Sequence, residues 1–147
     1  MLDSTLRLPL ESRLVQTAND DLIVFCTTFK PDHRRALEAL RIRVEQIEPE
    51  PASQRVSLKH VLKRLGELEI ASAMLEAGSQ LNSAAINGSV DRLCLFYAPI
   101  FLGASAVPLL DKSKTTQVQT IRTRLTKFGP DFRMEAWLSD PWSAIQS

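Results

Sequence analysis

The run DLIVFCTT at residues 21–28 sets the frame for the rest of the chain. Its continuous apolar and β-branched character fits a strand covered on both faces, the situation of strands inside parallel sheets. The period then changes at once. In KPDHRRALEALR, Pro31 and Asp32 suit a helix start, and Ala36, Leu37 and Leu40 recur at helical spacing. IRVEQIEP, residues 42–49, alternates apolar and polar side chains as a half-exposed strand does.

The same rhythm is expected on either side. LRLPLESRLVQTA reads as an extended segment turned at Pro9 and then a short helix. Ser57 can cap the helix SLKHVLKRLGELE, since its hydroxyl can accept a bond from an unpaired first-turn amide. Leu58, Val61, Leu62, Leu65 and Leu68 form that helix's apolar stripe. A strand over IASAML (70–75), a helix over SQLNSAAING closed by a left-handed Gly88, and a strand in VDRLCLFYAPIFLG follow. Four alternations of strand and helix predict an α/β fold with a mainly parallel sheet and right-handed crossovers. The ending departs from this: TTQVQTIRTRLTKFG and DFRMEAWLS, separated by Gly129-Pro130-Asp131, read as an antiparallel hairpin on the sheet edge. With 147 residues and only the short EPEPASQ stretch linker-like, a single folding unit is expected.

Composition narrows the function classes. Hydrophobic residues at 44% and charged residues at 24% describe a packed globular chain. A net charge of +1 with scattered basic residues lacks the electrostatic footprint of a nucleic-acid binder. No stretch reaches membrane-span length, the N-terminus lacks the pattern of a secretory signal, and Cys26 and Cys94 sit in apolar runs as small core residues do. These features predict a soluble, cytoplasmic, reduced protein.

The chemistry concentrates at one corner. After the apolar run come Glu76, Ala77 and Gly78, and then a helix start rich in small polar residues. In open parallel sheets ligands bind beyond the carboxyl ends of strands, where a helix start presents unpaired amides. Such an end favours negative charge by roughly 0.3 to 1 kcal/mol, up to about 2 when partly buried, so a phosphate is a natural guest. Gly78 would admit it closely. Glu76 is equally at home as an N-terminal helix acid with no ligand, and neither a dinucleotide fingerprint nor a P-loop is present. His33 and His60 lack partners at metal-ligand spacing and read as solvated surface residues, so no metal is expected. No Gly-x-Ser-x-Gly elbow supports a nucleophile, and the zinc elements of nucleobase deaminases are missing. Phe96, Tyr97 and Phe101 read as core or crevice-wall aromatics, and His33-Arg34-Arg35 as a solvated helix face.

The stretch LEAGSQLNSAAINGSVDRLCLFYAPIFLG (75–103) resembles the reductase domain of the bifunctional riboflavin-biosynthesis deaminase-reductase family. That family pairs a Glu-(Gly/Ala)-Gly corner and small-residue helix with a Val-Asp-x-Leu strand and Ala-Pro-x-x-Leu-Gly. LDSTLRLPLESRLV near the start is similar to its Asp-Ser-x-x-Arg-x-Pro segment, and FGPDFRMEAWL to its last strand. The resemblance implies a dihydrofolate-reductase-like three-layer fold over residues 1–147, N-terminally truncated because the first strand region lies upstream in the family. It implies reduction of 5-amino-6-(5-phosphoribosylamino)uracil by NADPH, giving the ribitylamino product. Glu76 would contact the substrate, while Gly78, Ser79, Gln80, Leu81, Asn82, Ser83 and Ala84 would line the NADPH phosphates, with Ser4 as a further cofactor contact. The loop GASAVPLL (103–110) departs from the glycine-rich sequence of the family. Two alternatives stay open: a catalytically inactive or associating fragment, which a bare sheet edge would let pair with itself as a homodimer or with another chain, or an NADPH reductase of another substrate.

Overall fold

The computed structural model describes residues 1–111 and 117–141. The chain divides into two compact units, Met1–Ala73 and Met74–Ser147.

In the first unit, β1 (Ile23–Cys26) and β2 (Arg43–Gln46) pair in parallel, with Ile23 opposite Arg43 and Cys26 opposite Gln46. The crossover between them is α2 (Pro31–Ala39), whose Pro31 occupies a first-turn position where no amide is required. Residues 1–4 run along the other side of β1: the Phe25 amide donates to the Met1 carbonyl (2.9 Å) and the Asp3 amide to the Phe25 carbonyl (2.9 Å). A short helix, α1 (Arg13–Thr17), follows the Pro9 turn, its Ser12 hydroxyl accepting from the Val15 amide.

Strand alternation explains why DLIVFCTT is apolar throughout. Val24 and Cys26 enter a core with Leu6, Leu8, Val15, Leu37, Ile42 and Val44, while Phe25, one residue out of step, packs with Val56 and Val61. Both faces of β1 are therefore covered, as its pattern predicted. The second layer comes from α3 (Leu58–Glu67), which contributes Val61 and Leu65. Of the expected stripe, only Val61 is fully buried, and Leu62 lies at the surface. Arg64 of α3 donates to both carboxylate oxygens of Glu45 on β2, at 3.2 and 3.1 Å, joining helix to strand. These bonds from Arg64 outweigh the opposing effect of burial, and with help from Arg43 they hold the Glu45 carboxyl below its usual value.

Ser57 stands at the N-cap of α3, but its side chain makes no capping bond and is buried instead. The two histidines also differ from expectation. His33 is half-buried with Nε2 3.0 Å from the Leu8 carbonyl, so that nitrogen carries the proton and donates. His60 is half-buried, with Nδ1 4.0 Å from a Glu48 carboxylate oxygen.

The second unit begins with α4 (Ser79–Ala85) and continues into β3 (Arg92–Tyr97), β4 (Arg122–Phe128) and β5 (Asp131–Trp137). The hairpin is formed as expected: Phe128 faces Asp131, and Gly129, at φ +59°, supplies the positive φ that such a tight turn needs. β5 lies between β3 and β4, antiparallel to both, so the hairpin forms the sheet of this unit instead of edging a parallel one. Among the described residues, the parallel pairing expected to dominate is confined to β1, β2 and the bridge at Leu2.

The segment 70–75, expected as a strand, is irregular. No described strand offers it a hydrogen-bonding ladder, and the division between the two units falls within it. Cys94 is exposed, unlike Cys26. Phe96 and Phe101 are exposed as well, since strand alternation puts Phe96 on the face carrying Arg92, Glu135 and Arg124. On that face Arg122 stacks on Trp137, 3.9 Å from the ring centroid, and Arg133 donates to Glu135 at 3.1 Å.

Candidate functional site

The corner at 76–84 forms, though with different surroundings from those predicted. Glu76 leaves an irregular exposed segment, not a buried strand, and its carboxylate makes no hydrogen bond or ion pair to a described residue. Gly78 is the N-cap of α4 with φ −80° and ψ 173°, an extended conformation open to any residue. A β-carbon built there would meet no heavy atom within 4 Å. No side chain caps the first turn of α4. The helix has seven residues, which limits its dipole.

Residues of α4 separate into outward and inward sets. Gln80 and Ala84 are exposed, Ser79 and Leu81 half-exposed, and Ser83 nearly fully buried at 2%. The Ser83 hydroxyl accepts from the Asp111 amide at 2.7 Å. Asn82 uses its side-chain nitrogen twice, donating to the Ala77 carbonyl at 3.0 Å and to the Leu109 carbonyl at 3.1 Å. Gly78, Gln80 and Ala84 are thus exposed and Ser79 and Leu81 half-exposed, while the side-chain polar groups of Asn82 and Ser83 bond within the protein. Gly88, at φ +111°, follows the helix in the left-handed region, as its position predicted.

Ser4 belongs to the first unit. Its hydroxyl accepts from the Val56 amide at 3.1 Å, and its carbonyl accepts from the amides of Thr27 and Thr28. Beside it, the Asp3 carboxylate accepts from the Arg7 and Leu8 amides at 2.6 and 2.8 Å, which closes the turn where Leu6 adopts φ +50°. The Asp-Ser pair is in this way a turn-forming element whose hydroxyl also anchors the 49–56 loop.

At the end of β3, Phe96, Tyr97, Ala98, Phe128 and Asp131 line an open pocket of about 260 Å³. Tyr97 stacks on Phe132 with ring centroids 5.1 Å apart. These aromatics wall a shallow surface depression and are not core. Among the described residues no group of three or more His, Cys, Asp or Glu could hold a metal ion, and no helix is long and apolar enough to cross a membrane. The partners of Asn82 and Ser83 at Leu109 and Asp111 were not visible in the sequence, because a separation of 27 or 28 residues leaves no periodic trace.

The family described as the RibD C-terminal domain matches residues 1–134 and so runs across both units. The chain is 38% identical over 103 residues to the riboflavin biosynthesis protein RibD of Actinobacillus pleuropneumoniae, covering 69% of this chain and 27% of that relative. It is 32% identical over 94 residues to the 5-amino-6-(5-phosphoribosylamino)uracil reductase of Buchnera aphidicola, covering 60% of this chain and 45% of that protein. The chain therefore spans less than half the length of these curated relatives. Among solved structures, the riboflavin biosynthesis reductase Rib7 of Saccharomyces cerevisiae superposes with a TM-score of 0.62 at 22% identity, over 80% of this chain and 55% of that one. That likeness establishes the dihydrofolate-reductase-like fold, and the sequence match establishes the family: the chain belongs to the RibD C-terminal domain family.

Proposed function

We propose that residues 1–147 act as one reductase domain, using NADPH to reduce 5-amino-6-(5-phosphoribosylamino)uracil to the ribitylamino product in riboflavin biosynthesis, in the cytoplasm. The observation that carries this reading is the similarity to a Buchnera protein named for that reduction, together with an exposed Glu76-Ala77-Gly78 corner with room for a guest. Open space at Gly78 and the uncapped first turn of α4 fit a phosphate-bearing cofactor, which Ser79, Gln80, Leu81 and Ala84 would flank. NADPH, when bound, supplies the hydride. The chain's share is to hold and orient. Glu76 carries a free acceptor pair for hydroxyl or amine donors of the substrate. No nucleophile is needed.

Titration of the purified chain with NADPH, followed by nicotinamide fluorescence, tests the binding claim: saturation supports it, and a flat response at millimolar cofactor overturns it. Glu76→Gln is expected to lower turnover while leaving NADPH affinity unchanged.

A second reading is favoured by one observation. Among the described strands β3 has a neighbour on one side only, and after Arg92 its residues Leu93–Tyr97 are apolar or aromatic, with no lysine or proline. Self-association as a homodimer through this edge predicts a sedimentation coefficient that rises with protein concentration, with or without NADPH.

A further inference from the structure

Asn82 and Ser83 do something a ligand-lining role does not require. Adjacent residues on a helix diverge by about 100°, and these two grip the segment 109–111 at separate points: Asn82 at the Leu109 carbonyl and Ser83 at the Asp111 amide. The other Asn82 donor reaches the Ala77 carbonyl, one peptide before Gly78. Both partners of that amide are carbonyl oxygens, so its nitrogen must face them. One side chain thus spans the corner and the distant segment.

We propose that Asn82 is a positioning residue that couples the Ala77-Gly78 corner to a strap formed by residues 103–111, so that cofactor affinity and strap order rise and fall together. The coupling rests on the reading that the corner takes NADPH. By linkage, the cofactor that settles at the corner protects the strap, and a secured strap strengthens cofactor binding by the same factor.

The test compares the whole chain with Asn82→Asp and Asp111→Pro. Asn82→Asp keeps the shape but sets a carboxylate oxygen against two carbonyls. Asp111→Pro deletes the amide that Ser83 holds, 33 residues from Gly78 along the chain. Limited proteolysis reads the strap, and NADPH fluorescence reads the corner. The parent should be cleaved more slowly in the strap once NADPH is added. Asn82→Asp should be cleaved there about tenfold faster without ligand and bind NADPH about tenfold more weakly, the effect of losing one or two hydrogen bonds. Asp111→Pro should weaken NADPH binding in the same direction, which a residue serving only local structure would not do.

Unchanged strap cleavage in Asn82→Asp overturns the proposal, as does an Asp111→Pro chain that binds NADPH like the parent. If Asn82→Asp fails to fold by circular dichroism, Asp111→Pro decides alone. A parent that never saturates with NADPH defeats the reductase reading, and strap cleavage in Asn82→Asp then still reports on whether the clamp holds.

Discussion

Gly78→Asp separates a cofactor corner from an ordinary helix start, because the two roles give effects of opposite sign. Gly78 is an uncapped N-cap in an extended conformation, with open space where a side chain would project. Aspartate is among the best residues at that position, better than glycine by a few tenths of a kcal/mol. Its charge adds about 0.3 to 1 kcal/mol against the first-turn amides. The variant should therefore be more stable by about 0.5 to 1 kcal/mol, which corresponds to roughly 2 to 8 °C in the melting of its unit. The same carboxylate occupies the amides a phosphate would use and repels it. Two unit charges about 4 Å apart interact by about 1 kcal/mol in water and about 4 kcal/mol at an effective dielectric near 20. The exposed corner lies toward the watery end, so a loss of about 1 to 2 kcal/mol, roughly 5- to 30-fold in NADPH affinity, is expected. Thermal denaturation and fluorescence titration on the same preparation provide both numbers, and added salt should shrink the affinity loss. A variant at least as stable as the parent with undiminished NADPH affinity would refute the assignment of this corner.

Other expectations follow from the first unit and the thiols. Leu37→Ala removes a fully buried side chain from the larger core and should destabilise by about 2 to 5 kcal/mol in a denaturant titration. Glu45 titrates below its usual value when folded because of Arg64, so its contribution is present above pH 4.5, the reference value, and is lost as pH falls through the lower folded value. Glu45→Gln should accordingly flatten the loss of stability below that pH, and an unchanged acid profile would count against the Arg64 contact. Cys94 is exposed and should react with a disulfide reagent in the native protein. Burial pushes the Cys26 thiol up, so it should label only on unfolding.

Much of the first unit was legible in advance because its signals are local. Pro31 starts α2, Leu37 marks its buried face, and the unbroken apolar run of β1 announces cover on both sides. The second unit was harder to read. An apolar run such as IASAML has strand-like composition, but a strand exists only where a neighbour completes its hydrogen bonds, and none is described there. The same limit misplaced Cys94 and Phe96: the apolar run was visible, but which face of β3 is covered depends on what packs against the sheet.

At the candidate site the sequence by itself determined the ingredients, a carboxylate, a glycine and a small-residue helix in order, because turn and helix-start chemistry is written within a few residues. Only the tertiary structure decided their division of labour. It left Glu76 and Gly78 open and turned Asn82 and Ser83 inward to Leu109 and Asp111. A side chain's partner across nearly thirty residues is selected by where the backbone returns, and that path is a property of the folded chain as a whole.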